Sequence, residues 1–398
     1  MVAAVRRHGY PETTVAELVG LAGVSKSTFY QHFESKEECF FSTFDRIIDE
    51  VTERVATAYR SQEGVEKGLA AAIGKFAEFV IQESPEASII VLDSLSLGAA
   101  AVRHIDRAGE SFELMLRQSL VDGSTEARPS DLAVRAIVGA IRTVVSRCLR
   151  AGRPDDLKDH LGPLVDLSLT YLSVGETPRP AAAIPIDSPE PEEGDEAVGW
   201  EEPADSARSR DMLSQRERIL RAAAQVVAHD GYSALTIPAI SAAAGTSNQT
   251  FYEHFERKEQ AFLAAFGELS HQAVRVTVSA AVTQTEWPGI IEAGMRGLLQ
   301  HTATEPLFAQ LAFVELPAAG AAALDNADEA LESFTGFLSP QVLPDGFEPL
   351  TPMLSEAIGG AVWGAIQHEI ITENQSALPG MAPQICDIAL LPLRRREG

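Results

Sequence analysis

Residues 9–40 read GYPETTVAELVGLAGVSKSTFYQHFESKEECF, and residues 231–262 read GYSALTIPAISAAAGTSNQTFYEHFERKEQAF. The two align without a gap at an offset of 222, with 15 of 32 positions identical. The register returns further on. Asp93 meets Glu315, Gly98 meets Gly320, and Ala99–Ala101 meet Ala321–Ala323. At offset 221, residues 136–140 (AIVGA) meet residues 357–361 (AIGGA). A repeat that keeps its register this long is an architectural unit present twice.

Local rules fold the repeated stretch. Thr14-x-x-Glu17 is a capping box and starts a short helix near Val15. Gly23 can take the left-handed conformation that ends it. Ser25 caps a second helix running to about Phe33, and Ser35-x-x-Glu38 opens a third, longer one. Two short helices joined at a glycine make a helix-turn-helix, whose second helix can enter a DNA major groove. On that second helix Phe29 and Phe33 form a core stripe, while Ser27, Tyr30 and Gln31 lie about 130° round at roughly 100° per residue. Lys26 suits guanine, and Ser or Thr can reach several base edges. Tyr30, His32 and Lys36 offer donors for phosphate oxygens. A solvated face carrying an incidental lysine is the competing reading.

The rest of the 398 residues reads as helix outside one segment. Apolar residues recur at three and four over Leu69–Ile81, Phe112–Leu120, Ala133–Leu149 and Leu157–Leu172, with Pro85, Gly123, Pro129 and Pro154 between them. The exception is residues 176–205, with ten acidic residues against Arg179 alone and many prolines. That composition reads as a disordered linker, or as an acidic segment masking a basic surface. Its length reaches about 35 Å. The formal net charge of −25 argues against nucleic acid until the linker is set aside. Each head then carries five cationic and six anionic residues, over 1–46 and 214–268, so only local donors favour DNA. Three distant cysteines exclude a disulfide framework and a cysteine-rich metal site, and fit the cytoplasm. No apolar run is long enough for a membrane span, and nothing reads as a signal peptide. A phosphate loop, paired metal-spaced histidines and a nucleophile motif are all absent, so neither an enzyme nor a cofactor is expected.

The ordered residues from Thr14 through Ala22-Gly23-Val24-Ser25 to Phe33-Glu34-Ser35-Lys36-Glu37 resemble the DNA-binding signature of TetR-type (tetracycline-repressor-like) regulators. Thr236 and Gly245 to Glu259 resemble it equally. The resemblance implies an all-α chain of two TetR-like units. These are a head at 1–46, a helical ligand-binding and dimerisation domain at 47–175, the linker at 176–212, a second head at 213–268 and a second helical domain at 269–398. It implies a transcriptional regulator on a double-stranded DNA operator, a repressor released by an unknown small-molecule effector.

The family's contacts carry over by position. Thr14, Tyr30, His32 and Lys36 would bind phosphates, and Ser25, Lys26, Ser27 and Thr28 would face bases. In the second head the phosphate set is Thr236, Tyr252, His254 and Lys258, and the base set is Ser247, Asn248, Gln249 and Thr250. The last two helices of each copy would form half of a four-helix interface, in an intrachain pseudo-dimer or a homodimer. Gly139, Ala140, Gly359, Gly360, Ala361 and Gly364 supply its small residues. Candidate ligand walls are Phe76, Phe79, Ile89, Leu92 and Met115 in the first copy. Phe308, Leu311, Phe313 and Phe334 are those of the second, and residues of this kind are more often plain core. Asp93, Arg103, His104 and Glu315 would add polarity there or form ion pairs. Cys39 is a candidate thiol sensor or a packed free cysteine, and Arg394–Arg396 a tail that touches DNA or acidic groups, or a solvated one.

Two departures matter. Only Val2–His8 precede Gly9, whereas the second copy has a full first helix from about Ser214 to His229. Lys26-Ser27 faces Asn248-Gln249, and Asn and Gln suit adenine, so the two heads are expected to read unlike half-sites. The opposing expectation is a sensing or interaction module whose heads no longer grip DNA.

Overall fold

The computed structural model describes residues 1–122, 130–172, 214–319 and 342–393, with 323, 329, 331, 332 and 335–339 between the last two. The side chains of 108, 111–113 and 115–122 fall outside that description, and so do Met115, Phe334, the 176–212 segment and Arg394–Arg396 as sequence expectations.

Among the described residues there is no strand, as the helical periodicity requires. In the first copy the helices are α1 (Val2–Glu12), α2 (Val15–Ala22), α3 (Lys26–His32), α4 (Lys36–Arg60), α5 (Val65–Gln82), α6 (Ser84–Val91), α7 (Ala99–Asp122), α8 (Asp131–Arg150) and α9 (Leu157–Leu172). The second copy has α10 (Gln215–Asp230), α11 (Ile237–Ala244), α12 (Asn248–His254), α13 (Lys258–Ala281), α14 (Trp287–Thr304), α15 (Pro306–Gln310), α16 (Pro352–Ile371) and α17 (Ala382–Leu390). None is long and apolar enough to cross a membrane. Pro85 sits in the first turn of α6, where its missing N–H costs nothing, and so marks the boundary with α5.

Packing divides the chain into two compact units. One comprises Met1–Glu176 with Gly320–Ile371 and Asp387–Gly398, the other Thr177–Ala319 with Thr372–Cys386. The cut does not follow the sequence repeat, because α16, a helix of the second copy, packs within the first unit, against α8.

The α8–α16 contact is made by absent side chains. A Cβ on Gly139 would run into the Gly360 carbonyl oxygen, and one on Gly360 into the Thr143 hydroxyl. A Cβ on Gly364 would stand 3.3 Å from the Gly139 Cα. Numbers rise along α8 as they fall along α16: Arg135 pairs with Glu369 at 3.8 Å and Arg147 with Glu356 at 3.4 Å. The helices therefore run antiparallel. At offset 221 Gly360 is the counterpart of Gly139, and Gly364 that of Thr143. Gly139 thus touches its own counterpart, and the 139-to-364 contact is mirrored by the 143-to-360 contact. That reciprocity is the geometry of an isologous interface, here made inside one chain.

In the second unit α10 lies along α11 and α13, and α13 lies along α14. Leu299 and Leu311, and the rings of Phe308 and Phe313, are buried there.

Candidate nucleic-acid interface

The two heads repeat each other down to backbone angles. Gly9 has φ 77° and ψ 166°, and Gly231 has φ 82° and ψ 162°. Gly23 and Gly245 are both left-handed, with φ 68° and 62°. A side chain at any of the four would be strained, which is why glycine holds these turns. The caps match as well. Thr14 Oγ1 accepts the Glu17 N–H, and Thr236 Oγ1 the Ala239 N–H, both at 3.2 Å. Ser25 and Ser247 each accept the N–H three residues on, at 3.0 Å. The second half of the expected capping boxes forms differently. Glu17 turns to Arg7 and His8 instead of its own helix start, and Glu38 accepts the Glu34 N–H. Ser214 and Glu217 close a complete box at the start of α10.

The Phe stripe is core, as its spacing requires. Phe29 packs with Ala4, Leu18 and Val19, with Phe33 half-buried beside it, and Phe251 and Phe255 are buried in the second head. Phe29 and Phe251 each hold the neighbouring tyrosine edge-on, at 5.3 and 5.8 Å between centroids. Anchored this way, Tyr30 and Tyr252 remain 57% and 59% exposed. Lys26, Ser27, Gln31 and His32 are exposed on the same short helix, as are Asn248, Gln249 and His254 on its counterpart. Thr14, Thr236, Ser25 and Ser247 are exposed too, but their hydroxyl oxygens already cap helices. Thr28 and Thr250 are half-buried and share a hydroxyl contact with that serine, at 2.9 and 3.0 Å.

Lys36 and Lys258 are each tied to backbone carbonyls of their own head. Lys36 Nζ donates to the Tyr10 and Pro11 carbonyls at 3.0 and 3.3 Å and lies 4.2 Å from the Tyr10 ring centroid. Burial pushes its pKa below the ordinary lysine value and that of the Tyr10 phenol up to about 12. Lys258 Nζ donates to the Leu235 carbonyl at 2.8 Å and faces the Tyr232 ring. Each lysine ties the start of a long helix to the chain leaving the first helix. Sequence pattern cannot separate this use from phosphate binding, because both ask for a cation at the start of α4 or α13. Two residues that were not singled out are exposed in the second head: Glu253, in the place of Gln31, and Arg257, in the place of Ser35. Aligning the two copies is the signal that finds them.

Among the described residues the ligand candidates occur as pairs of neighbouring rings and as buried apolar positions. The Phe76 and Phe79 rings are 6.2 Å apart, as are those of Phe308 and Phe313. Phe79 and Ile89 are buried, and Leu92 is half-buried. Phe79 also lines a polar groove of about 480 Å³ with Arg54, Lys75 and Glu83. A smaller cavity of about 50 Å³ lies among α7, α8 and α16, beside Asp106, Arg142 and His368. Two of the polar candidates connect heads to helical bodies. His104 stacks on Phe41 at 3.9 Å, and Glu315 accepts the Tyr232 N–H at 2.9 Å. Burial raises the Asp93 carboxyl to about 6. It also raises the Cys39 thiol, which disfavours the reactive thiolate. Among the described residues no cluster of metal-ligating side chains occurs.

The family model described as bacterial regulatory proteins, tetR family, matches at residues 3–43 and again at 219–265. A curated relative, the HTH-type transcriptional activator FasR of Mycolicibacterium smegmatis, is 34% identical over 76 residues, 19% of this chain. The match spans about a third of the relative's length, 35%. Among solved structures, the fatty acid degradation regulator FadR from Bacillus halodurans aligns at 18% identity and a TM-score of 0.38, over 46% of this chain and 98% of its own. A TetR family transcription regulator from Marinobacter aquaeolei VT8 aligns at the same identity and TM-score, over 48% of this chain and 100% of its own. Both matched segments coincide with the capped, glycine-turned heads, so the chain carries two segments similar to the N-terminal unit of the tetR family of bacterial regulatory proteins.

Proposed function

We propose that this TetR-family regulator binds double-stranded DNA through α3 and α12, as one chain with two unlike heads, on an imperfect palindrome. The observation that carries the reading is the exposed polar face of each short helix, held rigid by the buried phenylalanines beneath it. Lys26 and Ser27 present donors suited to guanine, and Asn248 and Gln249 the paired donor and acceptor suited to adenine. Tyr30, His32, Tyr252 and His254 supply phosphate donors, with Thr14 and Thr236 donating their free hydroxyl hydrogens. Lys36 and Lys258 act by fixing the head. The reciprocal α8–α16 packing supports the single-chain unit, since it pairs the two copies where a homodimer would pair two chains.

Regulation in this reading is occupancy of an operator, ended when a small molecule enters a helical body and favours a head arrangement that fits DNA less well. Phe76, Phe79, Leu92 and Met115 remain the proposed walls in the first copy, and Phe308, Leu311 and Phe313 in the second.

Selection of sites from random DNA, with light-scattering mass of the complex, tests the proposal. One chain on a site with two unlike halves is expected. A perfect palindrome bound by two chains overturns it.

One observation favours a second reading, in which only the first head grips DNA. Glu253 places a carboxylate on the α12 face, where the first head has Gln31, and α12 itself has no lysine or arginine. A carboxylate facing phosphates weakens the electrostatic part of binding. Under that reading Asn248→Ala leaves affinity unchanged, while Lys26→Ala lowers it.

A further inference from the structure

The α8–α16 contact carries charge as well as shape. Helix α8 holds Arg135, Arg142, Arg147 and Arg150 against one acid, Asp131. Helix α16 holds Glu356 and Glu369 with no lysine or arginine. The charges meet across the contact: Arg147 with Glu356, Arg135 with Glu369, and Arg142 Nη2 donating to Gln367 Oε1 at 3.2 Å. The glutamates are the better covered partners, with side chains 13% and 7% exposed. His368 is held by Asp106 of α7 at 2.8 Å.

The repeat shows what changed. At offset 221 Glu356 is the counterpart of Arg135, His368 that of Arg147, and Glu369 that of Cys148. One copy has thus kept a cationic version of the face and the other an anionic one. The same reciprocal packing applied to two α8 helices would set Arg135 of one against Arg147 of the other, twice. Applied to two α16 helices, it would set Glu356 against His368 and Glu369, twice. Like charges pressed together in a half-buried contact are costly, and the closeness at Gly139 and Gly360 leaves no room to splay apart. Only α8 with α16 satisfies both ends.

We propose that Arg135 and Arg147, opposite Glu369 and Glu356, are the specificity determinants of this interface: they select the other copy of the same chain and reject the like copy of a second chain. Reciprocal exchange between two chains would satisfy the same charges, and tethering disfavours it through the high effective concentration within one chain. The proposal rests on the single-chain reading above and assigns the residues that enforce it.

The test separates the two. Wild type is first weighed by light scattering across concentration. A two-chain mass removes the single-chain reading without touching the charge assignment. Two full-length variants then follow: Glu356→Arg with Glu369→Arg, cationic on both helices, and Arg135→Glu with Arg147→Glu, anionic on both. Each variant is weighed alone and mixed one to one, with helix content followed by circular dichroism. The mixture is expected to gain a species of twice the single-chain mass that neither variant forms alone and that fades as salt rises. A mixture that stays at the masses of its components, with helix content intact, overturns the proposal. Where a double reversal loses helix content, the Arg147–Glu356 pair alone decides. Glu356→Arg is expected to lower the melting temperature by about 3 °C or more, and adding Arg147→Glu to recover at least half of that. No recovery overturns the proposal equally.

Discussion

The first head is covered by Val2–His8, the part of α1 before the break at Gly9, and the second by the whole of α10. Below that cover the glycine turns and the Thr and Ser caps of the two short helices are the same, with glycine φ angles agreeing within 6°, whereas Ser35 caps the long helix of the first head and Arg257 does not cap that of the second. Above it the surfaces differ. Helix α10 buries Ile219, Leu220, Ala222, Ala223, Ala224 and Val227, whereas α1 buries Ala4, Val5 and Tyr10. Phe251 is correspondingly sealed at 0% exposure and Phe29 keeps 6%. The comparison teaches that the helix-turn-helix backbone is specified by a few local hydrogen bonds. How firmly it is held depends on a separate helix, and what it reads depends on residues the backbone does not constrain.

The largest expected effect breaks this contrast in the core. Phe251→Ala should cost about 4 kcal/mol of stability through the cavity it leaves, and Phe29→Ala about 3. Denaturant unfolding of the full chain measures both, and a larger loss at Phe29 would mean that α1 covers its head better than α10 does. Next come Gly139→Ala and Gly360→Ala. Each should cost about 2 kcal/mol, Gly139→Ala by pressing on the Gly360 backbone and Gly360→Ala by pressing on the Thr143 side chain and the Gly139 carbonyl, and similar losses are the expectation for a contact reciprocal in energy as well as in position. Unequal losses would show that the contact is not reciprocal in energy.

Binding sharpens the comparison further. Lys26→Ala should weaken DNA binding by about 1–3 kcal/mol and relax preference at one base pair. Asn248→Ala should do so in the other half-site, and Glu253→Gln should strengthen binding. Lys36→Ala should act mainly on thermal stability, since its ammonium is tied to the Tyr10 and Pro11 carbonyls.

The smallest effect lies at the counterparts Asp93 and Glu315. Burial raises the Asp93 carboxyl from its ordinary 3.8 to about 6, so the folded protein favours the protonated form. The stability this group gives is full below pH 3.8 and lost as pH rises through about 6. Asp93→Asn should therefore raise the pH 7 melting temperature by on the order of 2 °C and flatten its dependence between those limits. Glu315→Gln should lower it, because the Glu315 carboxylate accepts the Tyr232 N–H. A rise at both sites would mean that the two carboxyls are equivalent after all.

The local expectations that held did so for a reason that can be named. Gly23, Ser25 and Ser35 announce their turns and caps because those bonds close within three or four residues. The periodic stretch Leu157–Leu172 returns with the same limits as α9. The exposure of Ser27, Tyr30 and Gln31 follows from their angle to Phe29. Lys36 was legible as a cation at a helix start, but its partners lie 25 and 26 residues upstream, so pattern alone offered phosphate as readily as carbonyl. The ligand walls were legible only as apolar helix positions, and apolar positions in a bundle are core unless shape leaves a space.

By itself the sequence determined that the chain is helical, that one unit occurs twice, where each head turns, and which side chains differ on the exposed faces of α3 and α12. Only the tertiary structure decided that α16 leaves the second copy's compact unit to pack on α8, that Gly139 meets its own counterpart, and that arginine on one helix faces glutamate on the other. The physical reason is range. Caps and turns are hydrogen bonds between near neighbours in the chain, and residue type settles them. Docking joins residues more than 200 positions apart, and which faces meet is fixed by fit and charge across the whole contact.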